Sequence, residues 1–430
     1  MEAIPQEGRY SVWLREKLSG RQAGRLKMRK SYYLGAVLGL IFAGLLIGCG
    51  DANNSGTEQD QPPPLLSSSR PFGKVVSGWS AVSAGYSHGC AIPDNNGTLW
   101  CWGSNYYGQL GDGTTTLATT PVEVGVDTTW TQVSAGGGHT CAKKMDETLW
   151  CWGYNSNGQL GLGNYDNTPT PTEVGTDTDW ASVASGFTHT CATKTNHTLY
   201  CWGDNTYGEL GIGNNFGQFS PAKVGKSDWA MVSAKNQFTC AKKTDRSIWC
   251  WGLNEYGQLG DGTIKNRKSP IKVGTAKNWK TIAAGGLHSC AIKTDGTLWC
   301  WGLNDVGQLG DGTTRTRKTP VRVGRASTWA SVALGRGHSC AMKKNTGLYC
   351  WGGNSSGQVG VGDTTDRHKP TLVTGTGTGT GYASFSLGEY HTCGLWSDAN
   401  IWCWGYNEYG QLGDGSTTNR LNPTNPVFQP

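Results

Sequence analysis

The sequence predicts an all-β protein, a seven-bladed β-propeller with four short strands in each blade. A segment of the type found at residues 286–313, GLHSCAIKTDGTLWCWGLNDVGQLGDGT, occurs seven times, and its first cysteine recurs at spacings of 51, 50, 49, 50, 50 and 53 residues. The 430 residues include 65 Gly and 20 Trp, and only 16% are charged, so the composition suits neither a disordered chain nor a coiled coil. Such a repeat is too small to bury its own apolar face, so the repeats must stack on one another.

The N-terminal part of the chain contains targeting signals and no repeat. An apolar run at residues 32–48 follows the basic stretch 27–30, and it is short and Gly-containing, like the core of a signal peptide. The run ends in Leu-Ile-Gly-Cys, which resembles the lipobox of bacterial lipoproteins, in which the cysteine is lipidated after cleavage. That residue, Cys49, is also the one cysteine without a partner in the repeats. The alternative is an ordinary signal peptide or anchor with a chance cysteine.

Three regions follow from these signals. We expect residues 1–48 to be a signal peptide, with Met28 as an alternative start, because the stretch before it is long and polar. Residues 49–74 contain three consecutive prolines and three consecutive serines without periodicity, and they are expected to form a lipidated flexible tether. Residues 75–430 are expected to form the propeller. The protein is then an exported bacterial lipoprotein, on the outer membrane rather than the inner one, facing either the periplasm or the cell surface.

The fifth repeat shows how each unit supplies four strands. Residues 279–284 and 288–293 are expected to be the first two strands, separated by a turn at the glycines 285–286, and 294–296, Thr-Asp-Gly, is a hairpin loop leading into a third strand at 297–302. A Gly-punctuated loop leads to a fourth strand at 320–323. Its initial proline is tolerated at the edge of a sheet, where no partner needs the missing N–H.

The paired cysteines test this strand assignment. The two members of each pair are ten or eleven residues apart with a turn between them, so a hairpin places them opposite each other on adjacent strands. We predict seven intra-blade disulfides, which also favour an oxidising compartment. The pairs are Cys90 with Cys101, Cys141 with Cys151, Cys191 with Cys201, Cys240 with Cys250, Cys290 with Cys300, Cys340 with Cys350, and Cys393 with Cys403. The alternative, zinc, needs two pairs converging on one ion, and equivalent positions of neighbouring blades are too far apart for that.

This repeat resembles the RCC1 (regulator of chromosome condensation) repeat, whose signature runs G-x-x-H-x-x-A-L, a turn, and W-G-x-N-x-x-G-Q-L-G-x-G. In the fifth unit the matching residues are His288, Ala291, Trp301, Gly302, Asn304, Gly307, Gln308, Leu309, Gly310 and Gly312. The resemblance implies a seven-bladed propeller that serves as an interaction surface. Its members range from a nucleotide-exchange factor on chromatin through a plant UV-B receptor to a secreted bacterial β-lactamase inhibitor, and fold alone does not choose among these roles.

The chain departs from the family pattern in three places. The cysteine pairs are absent from the eukaryotic archetype and indicate an exported variant, so we expect neither chromatin binding nor GTPase exchange, and no nucleic-acid partner. In the fourth repeat the sequence Gly-Gly-Gly-His of residues 136–139 becomes Lys-Asn-Gln-Phe at residues 235–238. Residues 374–381 alternate Thr and Gly and are expected to form a flexible inserted loop.

Repetition assigns most chemically active side chains to structure. Six histidines occupy equivalent positions: His88, His139, His189, His288, His338 and His391. Rotation about the propeller axis spreads them around a circle, so each is expected to bond a local backbone group and none to bind a metal. One aspartate per LGDGT loop, as at Asp112, Asp261, Asp311 and Asp414, is expected to cap a turn rather than to bind calcium. The CWG tryptophans Trp102, Trp152, Trp202, Trp251, Trp301, Trp351 and Trp404 are expected to pack between blades. We expect no metal and no cofactor.

Charge is divided between two sectors of the ring. Residues 75–234 contain 5 Lys/Arg against 13 Asp/Glu, a net charge of −8, whereas residues 235–370 contain 21 against 8, a net charge of +13. Nine basic residues fall in equivalent loops of three consecutive blades: Lys265, Arg267 and Lys268; Arg315, Arg317 and Lys318; Arg367, His368 and Lys369. Placed side by side, these clusters predict a binding site for an anionic partner, an acidic protein or a polyanionic polymer. The alternative is that they are solvated loop charges.

The sequence therefore predicts a monomeric, lipid-anchored, non-catalytic propeller that binds a macromolecule, most simply a protein. The first alternative is an inhibitor of a secreted hydrolase, with loop aromatics as anchors at Tyr106, Tyr107, Tyr165, Phe216, Phe219, Tyr256 and Tyr409. The second is an enzyme of unknown class, which would need a non-repeated cluster of titratable groups in a pocket. The strand that closes the ring is left open between residues 71–76 and 423–427.

Overall fold

The computed structural model describes residues 78–94, 96–344, 347–374, 381–423 and 427. They form seven antiparallel sheets, each made of strands that follow one another in the chain. Contacts run from each sheet to the next and from the seventh to the first, so the sheets are the blades of a closed ring. The predicted seven-bladed, all-β propeller is confirmed.

The 27 strands are numbered in chain order. They are β1 Trp79–Ala84, β2 His88–Pro93, β3 Trp100–Gly103, β4 Ala118–Glu123, β5 Trp130–Ala135, β6 His139–Lys144, β7 Leu149–Gly153, β8 Thr168–Glu173, β9 Trp180–Ser185, β10 His189–Lys194, β11 Leu199–Gly203, β12 Gln218–Lys223, β13 Trp229–Lys235, β14 Phe238–Lys243, β15 Ile248–Gly252, β16 Arg267–Lys272, β17 Trp279–Ala284, β18 His288–Lys293, β19 Leu298–Gly302, β20 Arg317–Arg322, β21 Trp329–Leu334, β22 His338–Lys343, β23 Gly347–Gly352, β24 Arg367–Leu372, β25 Tyr382–Leu387, β26 His391–Trp396 and β27 Ile401–Gly405. Blade 1 is β1–β4, and the count continues in fours to β25–β27 in blade 7.

The first strand of each blade lies innermost and the fourth outermost, since it is the first strands that contact one another around the ring. In blade 5 the outer strand β20 begins at Arg317, three residues before the predicted start. Its register shifts between the pairs Cys300–Val321 and Gly302–Arg317, and Pro320 lies within this irregularity. The proline is therefore accommodated at a bulge inside the strand rather than at its start, because a bulge leaves a residue without a ladder hydrogen bond.

The hydrophobic core lies between the blades. At the boundary of blades 1 and 2, Leu99 and Leu110 of blade 1 pack with Trp130 and Trp152 of blade 2. Seven such clusters occur, one at each boundary, including the boundary where blade 7 meets blade 1. Each repeat therefore buries its apolar side chains against its neighbours, as stacked repeats require.

The C-terminal segment closes the ring. Gly405 of β27 pairs with Arg420, and the backbone N–H of Val427 donates to the carbonyl oxygen of Ile401 at 2.8 Å. Val124 makes the same bond to Leu99 in blade 1, so Val427 stands where the other blades have the residue after their fourth strand. This segment thus takes the outer position in blade 7. Residues 71–76, the other candidate, lie outside the described residues.

All seven predicted disulfides are present, one in each blade between the second and third strands. The two cysteines of each pair are directly opposite in the strand register, and their Cα atoms are 4.0–4.1 Å apart. The disulfides belong to the core, because the cysteines are at most 2% exposed. In chain order they join Cys90 to Cys101, Cys141 to Cys151, Cys191 to Cys201, Cys240 to Cys250, Cys290 to Cys300, Cys340 to Cys350, and Cys393 to Cys403.

Candidate interaction surface

The antiparallel strand order gives the propeller two different faces. The front face is built by the connections between first and second strands and between third and fourth strands of each blade. The back face is built by the turns between second and third strands and by the connections from one blade to the next. Every residue of a loop can thus be assigned to a face from the direction of its strands.

The regular spacing of the six histidines reflects a network between blades. Each begins the second strand of its blade, is fully buried, and lies at the front-face end of that strand. In five of them Nε2 lies 2.8–3.0 Å from a hydroxyl of the next blade. The pairs are His88–Thr140, His139–Thr190, His189–Thr239, His288–Ser339 and His338–Thr392. The expectation that each imidazole bonds a local backbone group was wrong, because the partner is a side chain one repeat away.

The hydroxyls also determine which nitrogen of each ring is protonated. Ser339 Oγ donates to the carbonyl oxygen of Gln308 at 2.7 Å, so its single proton is used and it accepts from His288 Nε2–H. Burial lowers the pKa of His288 to about 3 and keeps the ring neutral. Among the described residues, no group of three or more His, Cys, Asp or Glu side chains is arranged to hold a metal ion. These five histidines therefore join blades.

Blade 4 differs from the other blades at the position of the histidine and at the glycine that precedes it. In the other six blades the loop before the histidine begins with glycine, and a Cβ at Gly85 would lie 2.6 Å from the ring of His88. In blade 4 the histidine is replaced by Phe238 and the glycine by Lys235. Lys235 Nζ donates to the carbonyl oxygen of Leu387 at 2.7 Å, on the opposite side of the ring in blade 7. Two changes in one blade thus create a polar link across the central channel.

An ion pair lies beside this link. Arg336 of blade 6 forms an ion pair with Glu389 of blade 7 at the front-face mouth of the channel. Burial raises the pKa of Glu389 to about 7, although Arg336 and Lys235 oppose the rise. Burial lowers the pKa of Lys235 to about 8, opposed by Glu389. The channel mouth therefore holds charged groups at a cost in desolvation. Arg336 and Glu389 bond each other, whereas Lys235 bonds a backbone carbonyl.

The LGDGT aspartates cap turns, and three of the four, Asp261, Asp311 and Asp414, also clamp arginines. Asp311 Oδ1 accepts hydrogen bonds from the backbone N–H and the hydroxyl of Thr313, and Oδ2 accepts two from Arg317, at 3.1 and 2.9 Å. Burial alone would raise the pKa of Asp311, but these bonds lower it below its usual value. Both oxygens are thus already engaged by donors, which leaves little for a calcium ion.

The nine basic candidates divide into two groups. Arg267, Arg317 and Arg367 are held by Asp261, Asp311 and Asp363 of their own blades. The other six are exposed, and none of them forms a salt bridge within the described part of the chain. They are Lys265, Lys268, Arg315, Lys318, His368 and Lys369. The structure places them at equivalent front-face positions of blades 4, 5 and 6.

Backbone contacts fix the spacing of these clusters. The N–H of Gly213 in blade 3 donates to the carbonyl of Lys268 at 2.8 Å, and Gly262 and Gly312 bond Lys318 and His368 in the same way. None of these aspartate–arginine clamps was predicted from the sequence, and a fourth, Arg420 on Asp414, lies in blade 7. The six-residue spacing that it shares with Asp261 and Arg267 is a signal that could have found it.

Exposed aromatic side chains occupy the other half of the same face. Within the described residues, all six exposed aromatics lie on the front face in blades 1 to 3. They are Tyr106, Tyr107, Tyr165, Phe187, Phe216 and Phe219. Of the seven predicted anchors, five are in this set, and Tyr256 and Tyr409 are half-buried. Phe187 was missed, since its position in a short loop next to glycine gave no sign that it would be exposed.

Ring contacts connect these aromatics across blade boundaries. Tyr165 packs on Phe219 with ring centroids 5.6 Å apart, and Tyr106 packs on Tyr409 at 6.2 Å. Phe187 of blade 3 reaches across blade 2 to within 5.4 Å of Tyr86 in blade 1. The front face thus combines an aromatic half with a half that carries exposed cations.

Two predicted features lie outside the described residues. These are Cys49 with the signal and tether segments, and residues 375–380 of the Thr-Gly insertion. In the part of the chain that is described, no helix is long and apolar enough to cross a membrane.

The CWG tryptophans join the blades as well as filling the core. Trp152 Nε1 donates to the carbonyl oxygen of Gln109 in the preceding blade at 3.0 Å, and Trp102 closes the ring by bonding Gln411 at 2.9 Å. Their fully buried rings pack between neighbouring blades.

Comparison with known families and structures agrees with this architecture. A model of the RCC1-like domain matches residues 44–325, and two models of the RCC1 repeat match residues 347–395 with 398–428 and 329–358 with 382–411. No curated protein matches the chain significantly.

Several solved structures share the fold. Yeast RCC1 (Prp20) bound to Kap60 is 21% identical with a TM-score of 0.70, and the match covers 78% of this chain and 84% of that one. Prp20p of Saccharomyces cerevisiae, studied with Gsp1p and histones, is 21% identical with a TM-score of 0.70 over 78% and 87%. Human WBSCR16 is 23% identical with a TM-score of 0.67 over 75% and 88%. At these identities the likeness shows the fold alone.

Proposed function

Because the chain belongs to the RCC1-like family of repeat propellers, we propose that it is a non-catalytic scaffold at the bacterial cell envelope. In this proposal, acyl chains on Cys49 hold it to the membrane and the front face binds a partner protein. The observation that supports it most is the restriction of all exposed aromatics, among the described residues, to the front face of blades 1 to 3.

Aromatic side chains are enriched at protein interfaces because they bury a large area at little conformational cost. The exposed cations of blades 4 to 6, such as Lys268 and Lys318, lie on the same face and would steer an acidic partner. A protein with an apolar patch beside an acidic one fits both halves. Prp20p, which shares the fold, binds Gsp1p and histones, and this supports a protein as the kind of partner.

We propose that the protein is non-catalytic because its titratable side chains are engaged in structural contacts. Five of the six repeat histidines, His288 among them, join blades, and the loop aspartates such as Asp311 hold turns and arginines. At the channel mouth Arg336 pairs with Glu389, and Lys235 donates to a backbone carbonyl. A substrate would therefore have to displace structural contacts.

A second candidate function is inhibition of a secreted hydrolase. The aromatic half of the front face favours it, because rigid aromatic anchors that fill an enzyme cleft are typical of tight inhibitors. The two functions differ in outcome rather than in surface: an inhibitor lowers the activity of the protein it captures, whereas a scaffold does not.

Cross-linking in intact cells, followed by mass spectrometry, tests the scaffold. One variant combines Tyr106→Ser, Tyr165→Ser and Phe216→Ser, and a second combines Lys265→Glu, Lys268→Glu and Lys318→Glu. The matched control combines Val126→Ser, Met145→Ser and Leu372→Ser, which are exposed apolar residues of the back face.

We expect both front-face variants to lose the cross-linked partner at least tenfold and the control to retain it. Equal capture by all three would refute the front face as the binding site. An activity assay of the captured protein with and without the propeller distinguishes a scaffold from an inhibitor.

The lipid anchor is tested by the mass of the mature N-terminus. A chain that retains residues before Cys49, or begins there without acyl chains, would contradict lipidation.

A further inference from the structure

The largest excess of positive charge in the propeller is on the back face, not in the front-face loops. From Trp229 to Leu372, the span of blades 4 to 6, eleven Lys/Arg lie in the back-face connections or within two residues of a strand end there, against two acidic residues, Asp245 and Asp295. The basic residues are Lys242, Lys243, Arg246, Lys272, Lys277, Lys280, Lys293, Arg322, Arg325, Lys343 and Lys344. We call these eleven residues the back-face basic patch.

Few of these charges are neutralised. Within the described residues, the only salt bridge of the patch joins Lys277 to Asp245 at 3.1 Å. In blades 2 and 3 the lysine that ends the second strand, the position of Lys293 in blade 5, is paired with an aspartate. Lys144 contacts Asp127 and Lys194 contacts Asp177, both at 2.9 Å. Blades 5 and 6 thus keep the lysine of the repeat and lack the aspartate. Blade 4 keeps Asp228 at the position of Asp179, but within the described residues it forms no salt bridge with Lys243.

Three lysines of the patch are held in place by aromatic rings. Lys243 Nζ lies 4.9 and 5.1 Å from the ring centroids of Trp229 and Trp249. Lys293 lies 5.2 and 4.3 Å from Trp279 and Trp299. Lys343 is placed in the same way, 4.9 Å from Trp329 and 4.0 Å from Tyr349. These cation–π contacts fix positive charges at the same depth in three consecutive blades.

Other members of the patch extend into solvent. Arg246, Lys277, Lys280, Arg322, Arg325 and Lys344 are exposed. Some of their side chains bond backbone carbonyls, as Lys280 does with Ala330 and Arg322 with Arg325, but such bonds leave the charge in place. The patch is therefore a broad, preorganised layer of positive charge.

The chain enters the propeller from this face. Strand β1 runs from the back face to the front, and the N–H of Trp79 bonds Ala399 in a back-face turn of blade 7. The 29 residues from Cys49 to residue 77 are joined to the back face through Gly78. A flexible linker of this length spans roughly 30 Å. A lipid anchor on Cys49 would keep the back face at high local concentration beside the bilayer.

We propose that the back-face basic patch binds the anionic phospholipid surface of the membrane to which the protein is tethered. The orientation of the back face toward the bilayer rests on the proposed lipidation of Cys49, whereas the positive charge of the patch does not depend on it. Docking in this way leaves the front face, with its aromatics and exposed cations, turned toward the partner.

The composition of the patch favours a lipid surface over a protein partner. Eight of its eleven residues are Lys, which act as point charges on a diffuse anionic surface, whereas specific pairing with carboxylates favours Arg. The exposed aromatics found within the described residues are all on the front face, so the patch lacks the anchors typical of a protein interface. Each Lys or Arg near an anionic bilayer adds about fivefold in affinity.

Vesicle cosedimentation tests the proposal on a chain of residues 50–430, which lacks the anchor. All seven blades are built from residues 79–427, so this chain retains the whole ring. One variant combines Arg246→Glu, Lys280→Glu, Arg325→Glu and Lys344→Glu. The matched control combines Lys265→Glu, Lys268→Glu, Arg315→Glu and Lys318→Glu, with the same change in net charge on exposed front-face residues.

We expect the unmodified chain to bind vesicles containing phosphatidylglycerol and not vesicles of phosphatidylcholine alone. The back-face variant should bind at least tenfold more weakly, and the control should retain most of the binding. Equal loss in both variants would show that net charge, not this face, is the cause, and no loss in either would also overturn the proposal. Unchanged thermal unfolding midpoints verify that both variants fold. Because this chain lacks Cys49 and needs no protein partner, a negative result leaves the tests of the proposed function unaffected.

Discussion

Lys235 of blade 4 donates a hydrogen bond from Nζ to the carbonyl oxygen of Leu387 in blade 7, at 2.7 Å and 152 residues away in the chain. The two residues are on opposite sides of the ring, so the bond links blades that share no boundary. It exists because Phe238 has replaced the histidine whose ring would otherwise require glycine at position 235.

Replacing Lys235 tests the importance of this link. Lys235→Met should lower the free energy of unfolding at pH 7.5 by about 1–2 kcal/mol, because the carbonyl of Leu387 loses its donor. The pKa of Lys235 is lowered to about 8 in the folded protein, so the stability contributed by this residue is complete above pH 10.5 and falls as the pH drops to 8. The deficit of the variant should therefore widen between pH 8 and 10.

Denaturant unfolding at pH 7.5, 8.5 and 9.5 measures this difference, and Lys265→Met, an exposed lysine of the same blade, is the control. A deficit that is the same at all three values would contradict the lowered pKa of Lys235.

The buried histidines should make the protein sensitive to acid. Burial lowers the pKa of His288 to about 3, so its stability contribution is complete above pH 6.5 and is lost toward pH 3, at about 1.4 kcal/mol per pH unit. His288→Gln should be less stable at pH 7.5, and this deficit should shrink by about 2 kcal/mol at pH 5. The buried carboxyls Glu209 and Glu389, whose pKa is raised to about 7, act in the opposite direction in both proteins and cancel from the comparison.

Phe238→Leu supplies the control for this experiment, because it changes the same position in blade 4 without an ionisable group. Its deficit should not change between pH 7.5 and 5. If the deficit of His288→Gln also stays constant, the ring is not held neutral in the folded protein.

The arginine clamp can be transplanted into blade 1. Asp112 has the place of Asp261, but Ala118 stands where Arg267 pairs, and both positions face an equivalent glycine of the third strand. Ala118→Arg should raise the free energy of unfolding by up to about 1 kcal/mol, since the guanidinium is partly exposed. Gln218→Arg in blade 3 is the matched control, because Ile212 there replaces the aspartate. A gain of equal size in both would show that the carboxylate is not the cause.

One disulfide can be removed without altering the rest of the core. The combined change Cys290→Ala and Cys300→Ala opens a crosslink with a separation of 10 residues, which should cost about 3 kcal/mol. Calorimetry of the unfolding midpoint measures the loss. The matching Ser pair should be less stable again, because it buries two hydroxyls in an apolar cluster. An unchanged midpoint for the Ala pair would show that packing between the blades, not the crosslink, holds β18 to β19.

Repetition made the scaffold predictable from the sequence. The spacing of the units determined the number of blades, and the turn between paired cysteines determined the seven disulfides, since both depend on residues close together in the chain. The pairing of Asp261 with Arg267 was not predicted, although it is equally local and the same spacing recurs at Asp414 and Arg420. The partner of each histidine was not predicted, because Ser339 is 51 residues from His288 and only blade stacking brings them together.

The sequence by itself determined the repeat, its strands and the division of charge between two sectors of the ring. Only the tertiary structure decided which face each charge occupies, because alternate ends of neighbouring strands point to opposite faces. It paired Arg267, Arg317 and Arg367 of the front face with local aspartates, and within the described residues it left all but Lys277 of the back-face basic patch without a salt bridge. The net charge of +13 of residues 235–370 is divided between two faces, to which our proposals assign different partners. The sequence alone gives only this total, because the distribution of the charges between the faces depends on the direction of each strand.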